Sequence, residues 1–523
     1  MKKLLLLIIS LLLVASLFVA CDNPVDDGNG DGGQSTNLYF VDGASVSSAP
    51  EKGNFVAYVK PSNDALWAAW DYDSWSIKNE NASLTYSVYF FTVDKLFASV
   101  DELKASTELT EGMKAGVKSY YAGLGKGAAI YQVRSNKSTD TGGQTLEGSS
   151  LFAKLIPFSV NGEKIVTVDQ FGTYGDGEKD DYRKINAALR FTDATVVEFE
   201  SNVYLQKNTV TLSRSNVRVN AKGAELHNSY KTGVVNFDFL VDGKIDKRVE
   251  NVIVENLTLL CTETNGKGSL YNSADHFQFE AKYTKNFTLR NCKFIAPEYQ
   301  NLKTDLHITS VSLRHGIDTL VEGNTIENFC GSDSFSGGLW IWSDPEFKTI
   351  SKNITIRNNY IEKTSHDEVF AFFMGEFDNV VVENNTILTH DEPIGAASAH
   401  AIGFGVWDVA TTIKNVVFAN NTVDVVCKND LMMFSNVENI EIYGNNITAR
   451  NNSKSEPIQY GVFRVTFLEN NYEAAGIPNP KQSNVHIYNN KITVYNTKEV
   501  PMYDSSCGDG FNFHDNEYSC IVE

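Results

Sequence analysis

The chain is short of positive charge: 45 Lys and Arg stand against 65 Asp and Glu, a formal net charge of −20 over 523 residues. A surface of that sign repels nucleic acid and anionic lipid, which disfavours a general nucleic-acid role. After residue 20 no apolar stretch is long enough to span a bilayer. The motifs of familiar chemistry are also missing. There is no glycine-rich phosphate loop, no His-Glu-x-x-His, no Gly-x-Ser-x-Gly and no EF-hand loop, so nucleotide chemistry and zinc or serine hydrolysis lack support. None of the seven cysteines shows zinc-ligand spacing. Cys507 and Cys520 are the pair expected to lie close in space, and the rest read as small buried hydrophobes.

What is present begins at the N-terminus with a processing signal. Lys2 and Lys3 precede an apolar run from Leu4 to Ala20, which ends in Phe18-Val19-Ala20-Cys21. This resembles a lipobox, in which Cys21 is lipidated and becomes the first mature residue. The resemblance implies export, a bacterial cell-envelope location and a membrane partner reached through the lipid; export in turn permits disulfides. Residues 22–36 are rich in Gly and Asp and read as a tether. The expected organisation is a signal peptide at 1–20, a tether at 21–37 and a small β-rich module at 38–94 containing Trp67, Trp70 and Trp75. A lead-in region follows at 95–160, and the main body occupies 161–523.

From about residue 250 one phrase recurs: a short alternating strand, a polar Asn or Gly turn, and a second short strand. Copies start at Asn251, Asn286, Asp318, Asn353, Asn379, Asn415, Asn439 and Asn484, and a worn copy lies near His514. Asn and Gly suit such turns because they tolerate left-handed backbone angles. The spacing is uneven: 286 − 251 = 35, 379 − 353 = 26 and 415 − 379 = 36. Helical-hairpin repeats keep a fixed period, whereas a coil of strands with loops inserted at one corner does not. The reading is all-β, a right-handed single-stranded parallel β-helix whose corner asparagines bond from coil to coil.

Upstream, residues 168–190 carry Phe171, Gly172, Gly175, Asp176, Gly177, Asp180 and Asp181 ahead of an amphipathic stripe of Ile185, Ala188 and Leu189. This resembles the FGA-x-GDG-x-x-DD motif and following helix of the pectate lyase superfamily, with Tyr174 and Tyr182 as departures. Such a helix would cover the open first coil. The three acids read as turn and cap residues. Residues 95–160 are similar, more weakly, to the lead-in of tailspike-like β-helix proteins. The resemblance implies a polysaccharide partner. It names no reaction, because the superfamily holds lyases, hydrolases, epimerases and depolymerases.

In that superfamily the strand before each Asn phrase belongs to the sheet that floors a sugar groove. Period-two alternation then sets the facing. With Phe277 and Phe279 inward, His276, Gln278 and Glu280 face out; with Leu339 and Ile341 inward, Trp340 and Trp342 face out. Trp340, Trp342, Phe370 and Phe372 are the candidate aromatic contacts to sugar, joined by His276, Gln278 and His400. Arg314, His315, His366, Asp367 and Glu368 are the candidate catalytic residues. In a lyase, Arg314 would neutralise a uronate carboxylate while His315 or His366 exchanges protons. In a hydrolase, Asp333 or Asp344 would pair with Asp367 or Glu368 at a carboxylate spacing of ~5–9.5 Å. A Ca²⁺ ion held by Asp275, Glu280 or Asp367 is the candidate cofactor. The functional expectation is a polysaccharide lyase or glycoside hydrolase; the alternative is a glycan-binding or scaffold protein without catalysis.

Overall fold

The structure is a computed structural model. It describes residues 37–521 except 136–141, 229–236, 262–274, 297–306, 330–334, 344–348, 365–367, 391–399, 428–429, 435, 452–457, 459–460, 466–482 and 496–509. Cys21, His366, Asp367, Asp333, Asp344 and the Cys507–Cys520 pairing fall outside the described residues.

The main body is a parallel β-helix. Among the described residues a twelve-stranded sheet and a twenty-stranded sheet run the length of the body, with strands from successive coils pairing parallel. The larger sheet contributes two faces, because each coil crosses it twice: Asp275–Lys282 and then Thr284–Arg290, for example, each pair with their counterparts one coil on. Three faces per coil follow. The first carries Asp275–Lys282 and His307–Arg314, the second the Asn-phrase strands, and the third the short strands after the turn.

The asparagines make this winding possible. Asn256, Asn291, Asn358, Asn384, Asn420 and Asn489 all hold φ between 53° and 56°, which turns the chain between the second and third faces. The residue after each turn points inward. Asn324, Asn359, Asn385, Asn421, Asn445, Asn490 and Asn516 form a continuous ladder in which each side-chain amide donates to the amide oxygen of the next asparagine at 2.9–3.1 Å. A second, exposed ladder runs along the second face, as in Asn286 to Asn251 to Asn216 at 2.8 Å. The interior is stacked apolar rings and branched chains, with Phe372, Phe404 and Phe434 one above another.

The helix Tyr182–Arg190 buries Ile185, Ala188 and Leu189 against the first coils. The Asp181 carboxylate accepts from the backbone of Tyr174 and Gly175 at 2.8 and 2.9 Å, and Asp176 accepts from Glu178 and Lys179 at 2.9 Å, so both acids shape the turn. Upstream lie a four-stranded sheet with a short hairpin beside it, both within residues 38–92, and a five-stranded sheet within 95–156. Val56, Tyr58, Tyr89 and Val93 from the first of these pack into one cluster with Phe158, Ile165 and Val196 of the β-helix. Trp70 and Trp75 belong to the core of the N-terminal sheet, edge-to-face with each other at 5.6 Å.

Candidate functional site

On the first face, Phe237–Asp242, Asp275–Lys282, His307–Arg314 and Phe335–Trp342 lie side by side in that order. Phe279, Val311 and Leu339 point into the core, so the residues that alternate with them point out. One outward row is Leu240, Glu280, Ser312 and Trp340; the next is Asp242, Lys282, Arg314 and Trp342. Adjacent coils are ~4.8 Å apart, which brings neighbours in a row within reach of each other.

The first of these rows is covered. Trp340 is 6% exposed: its ring lies across Gly337, where an added Cβ would meet the indole at 2.2 Å, and its Nε1 donates to the Glu368 carbonyl at 3.0 Å. It forms a small outer cluster with Ala371 and Met433, and Trp342 packs against this cluster at 5.8 Å ring to ring. Trp340 faces the side expected from alternation, but it buttresses Trp342 and is not an open platform. Glu280 is 1% exposed. Its carboxylate lies 3.2 Å from Arg314 Nε and 3.7 Å from Lys282 Nζ, and it accepts from Ser312 Oγ at 3.3 Å. Burial raises the Glu280 pKa, and Arg314 and then Lys282 oppose that rise.

The second row is the accessible one. The Arg314 side chain is 26% exposed, with its guanidinium 5.1 Å from the Trp342 ring centre. Lys282 stands 3.8 Å from Asp242, which also receives Lys244 at 2.9 Å. The column Lys282, Arg314, Trp342 therefore presents two cations and an aromatic face on three successive coils, backed by a buried carboxylate. Lys282 and Asp242 escaped the sequence-based candidate list. The signal was available in Phe277-Gln-Phe-Glu-Ala-Lys282, since alternation puts Lys282 beside Glu280.

Several expectations are corrected. Gln278 does not face out: it is buried, and its Nε2 donates to the Ile295 carbonyl at 2.9 Å. The cause is a break in alternation where each first-face strand begins. In Val369-Phe370, Ala401-Ile402 and Leu431-Met432 both members of each pair enter the core. Phe370 and Phe372 are core residues with no exposure, so they cannot stack on sugar. His315 is also fully buried. It sits at φ 55° on the corner between faces, stacks on Tyr283 at 4.5 Å and meets Thr349 Oγ1 through Nδ1 at 2.5 Å, which is a structural post out of substrate's reach. Glu368 is buried, and its carbonyl holds Trp340.

Asp275 and Glu280 do not form a shared Ca²⁺ site, and the third candidate ligand, Asp367, lies outside the described residues. Asp275 and Glu280 are five positions apart on one strand, or ~16 Å at ~3.3 Å per residue, and too far to share an ion. Glu280 is moreover flanked by two cations. No group of three potential ligands occurs among the described residues. The side chains of Asp275, His276 and His400 lie outside the described portion, although their backbones belong to first-face strands.

No known protein-family description matches the chain, and no curated protein does. Among solved structures it is similar to the enzymatically active domain of tailspike protein 2 of bacteriophage CBA120. Identity is 11% and TM-score 0.44, covering 82% of this chain and 56% of that one; it covers 50% of the full-length tailspike. It is similar to PfbA, a surface adhesin of Streptococcus pneumoniae (15%, TM-score 0.40, 64% and 90%). A third is Pantoea stewartii WceF, a glycan biofilm modifying enzyme with a bacteriophage tailspike-like parallel β-helix fold (12%, TM-score 0.35, 82% and 50%). This chain is a parallel β-helix by its own strand pairing, and the likeness extends to fold alone.

Proposed function

We propose that this protein binds an acidic polysaccharide along the first face and cleaves it. The observation that carries this reading is the column Lys282, Arg314, Trp342 over buried Glu280. An arginine set against a carboxylate behind it, with its side chain 26% exposed, is within reach of a sugar carboxylate, and the neighbouring indole offers an apolar face to ring C–H bonds. The two cations also supply local attraction that a chain of charge −20 would otherwise deny a polyanion. Neutralising a uronate carboxylate acidifies the adjacent C–H, so the arrangement favours elimination, with His366 or Asp367 proposed as the proton acceptor. Glu280 is a positioning residue in this scheme, acting through Arg314. The proposal also places the protein at the bacterial envelope, tethered by lipid on Cys21.

One observation favours a second reading, binding without cleavage: among the described residues the accessible column offers recognition groups and no histidine. Incubating the soluble chain from residue 37 with pectins, alginates, glycosaminoglycans and neutral glycans separates the outcomes. New ultraviolet-absorbing unsaturated ends identify a lyase, reducing ends without them a hydrolase, and binding alone the adhesin-like reading. Arg314→Ala should weaken binding of the preferred glycan at least about tenfold, the equivalent of ~1.4 kcal/mol, with the fold intact by circular dichroism. Unchanged affinity in Arg314→Ala and Trp342→Ala together would remove the column from the function.

A further inference from the structure

Trp67 is the one tryptophan of the N-terminal sheet region that does not join its core. It lies where this region meets the first coils of the β-helix, with its Nε1 donating to Asn202 Oδ1 at 2.9 Å. Trp67 lines an open pocket of about 330 Å³ together with Lys78, Lys126, Glu200 and Asn202. It also lines a smaller, partly enclosed cavity of about 30 Å³ shared with Tyr58. A further pocket of about 270 Å³ adjoins through Lys78 and Gly125. The open pocket is of the size that holds one small ligand.

Its walls are built. Lys126 Nζ is fixed by Ser201 Oγ at 2.7 Å and the Gly175 carbonyl at 3.2 Å, and Glu200 accepts from the Gly127 amide at 2.8 Å. Gly125 holds φ +69°, and the Lys78 ammonium would stand 3.2 Å from a Cβ placed there. Lys78 forms no ion pair among the described residues. Burial, then the nearby Asp169, pushes the Glu200 pKa up to about 8, which lessens the repulsion this wall exerts on an anion near neutral pH. Asp176, at the mouth, is held near Lys179 at 3.8 Å.

An indole face, two ammonium groups and amide and hydroxyl groups around a one-sugar volume define the ligand's chemistry. We propose that this crevice is a second saccharide site, which takes a single acidic sugar unit stacked on Trp67 with its carboxylate toward Lys78 and Lys126. The site shares no residue with the Arg314 column. It would hold a chain end or branch while the first face engages the rest.

The test is isothermal titration of the chain from residue 37 with free glucuronate and galacturonate, with glucose as the neutral control. The expected result is saturable binding of a uronate. It should weaken at least about tenfold in Trp67→Ala and in Lys78→Ala, persist in Arg314→Ala, and exceed binding of glucose by a similar factor. Trp67→Phe, which keeps a ring, should retain most of the affinity and shows that loss in the alanine variant is not loss of fold. Absence of uronate binding in the unaltered chain overturns the proposal, as does binding indifferent to Trp67→Ala and Lys78→Ala. Binding lost only in Arg314→Ala assigns the uronate to the first face and likewise overturns the crevice, while leaving the first-face reading standing.

Discussion

Glu280 and Glu200 are both carboxyl groups withdrawn from water, and their neighbours decide what each does. Glu280 faces Arg314 and Lys282, which oppose the rise that burial imposes on its pKa and tie the carboxyl to the guanidinium. Glu200 has Asp169 near it, and with burial this moves its pKa from about 4.5 to about 8. A carboxyl whose folded pKa lies above its unfolded value binds a proton more tightly in the folded state. Its contribution to stability is complete below about pH 4.5 and is lost as the pH rises through about 8. The melting temperature should therefore fall between pH 6 and pH 9, and Glu200→Gln, which keeps the neutral shape, should remove about half or more of that fall. A pH profile of the same slope in Glu200→Gln would assign the dependence elsewhere. Nothing in the local sequence Glu198-Phe-Glu200 announces this behaviour, because the second acid, Asp169, comes from a turn some thirty residues earlier and meets it only in the first coil. Arg314 and Trp342 were legible as outward residues from their own strands. Their pairing through Glu280 was not, since it depends on which coils are neighbours.

At the scale of the repeating element, two asparagines in succession do different work. In Asn420-Asn421 the first takes φ 55° and turns the chain, whereas the second is buried in the ladder. Asn421 donates to Val382 O and Asn445 Oδ1 and accepts from both the backbone and side chain of Asn385. Asn421→Ala leaves several buried polar groups without partners at ~1–3 kcal/mol each, so a loss of about 3–5 kcal/mol in urea unfolding is expected. Asn379 holds φ 57° on the exposed ladder, and its side chain bonds only Asn353 among the described residues, in a solvated row. Asn379→Gly keeps the backbone freedom and should cost less than about 1 kcal/mol. Equal losses at the two sites would contradict the division between turn and ladder. The element was readable in sequence because this chemistry recurs at every coil. Facing was less readable, because alternation fails at the first-face strand starts. The doubled apolar pairs Val369-Phe370, Ala401-Ile402 and Leu431-Met432 were its visible trace, and Gln278 occupies the equivalent position three coils before Val369 with a polar side chain that hides it.

Over the whole molecule, the sequence suggests a small β-rich module at 38–94, and its packing joins it to the first coils of the β-helix. Val56, Tyr58, Tyr89 and Val93 share a core with Phe158, Ile165 and Val196. Polar ties cross the same boundary. Tyr58 donates to Glu198 at 2.9 Å, Lys222 bridges Glu198 and Asp64 at 3.1 and 3.2 Å, and Arg218 pairs with Asp64. Removing residues 37–94 would expose the β-helix half of that core and leave the buried Lys222 with one of its two carboxylates. Burial of four such side chains is worth roughly 6–12 kcal/mol at ~1.5–3 kcal/mol each, comparable with the ~5–15 kcal/mol net stability of a typical folded domain. The chain from residue 95 should therefore aggregate, or melt at least about 10 °C below the chain from residue 37. In the longer chain, tryptophan fluorescence, to which Trp67, Trp70 and Trp75 of the N-terminal region contribute three of the six tryptophans, should change together with the β-sheet circular dichroism, in one transition. A chain from residue 95 that stays monodisperse with an unchanged melting temperature would make the N-terminal sheet an appendage. The crevice around Trp67 would then be a gap between two bodies free to part, and a saccharide bound there would have no fixed walls to recognise it.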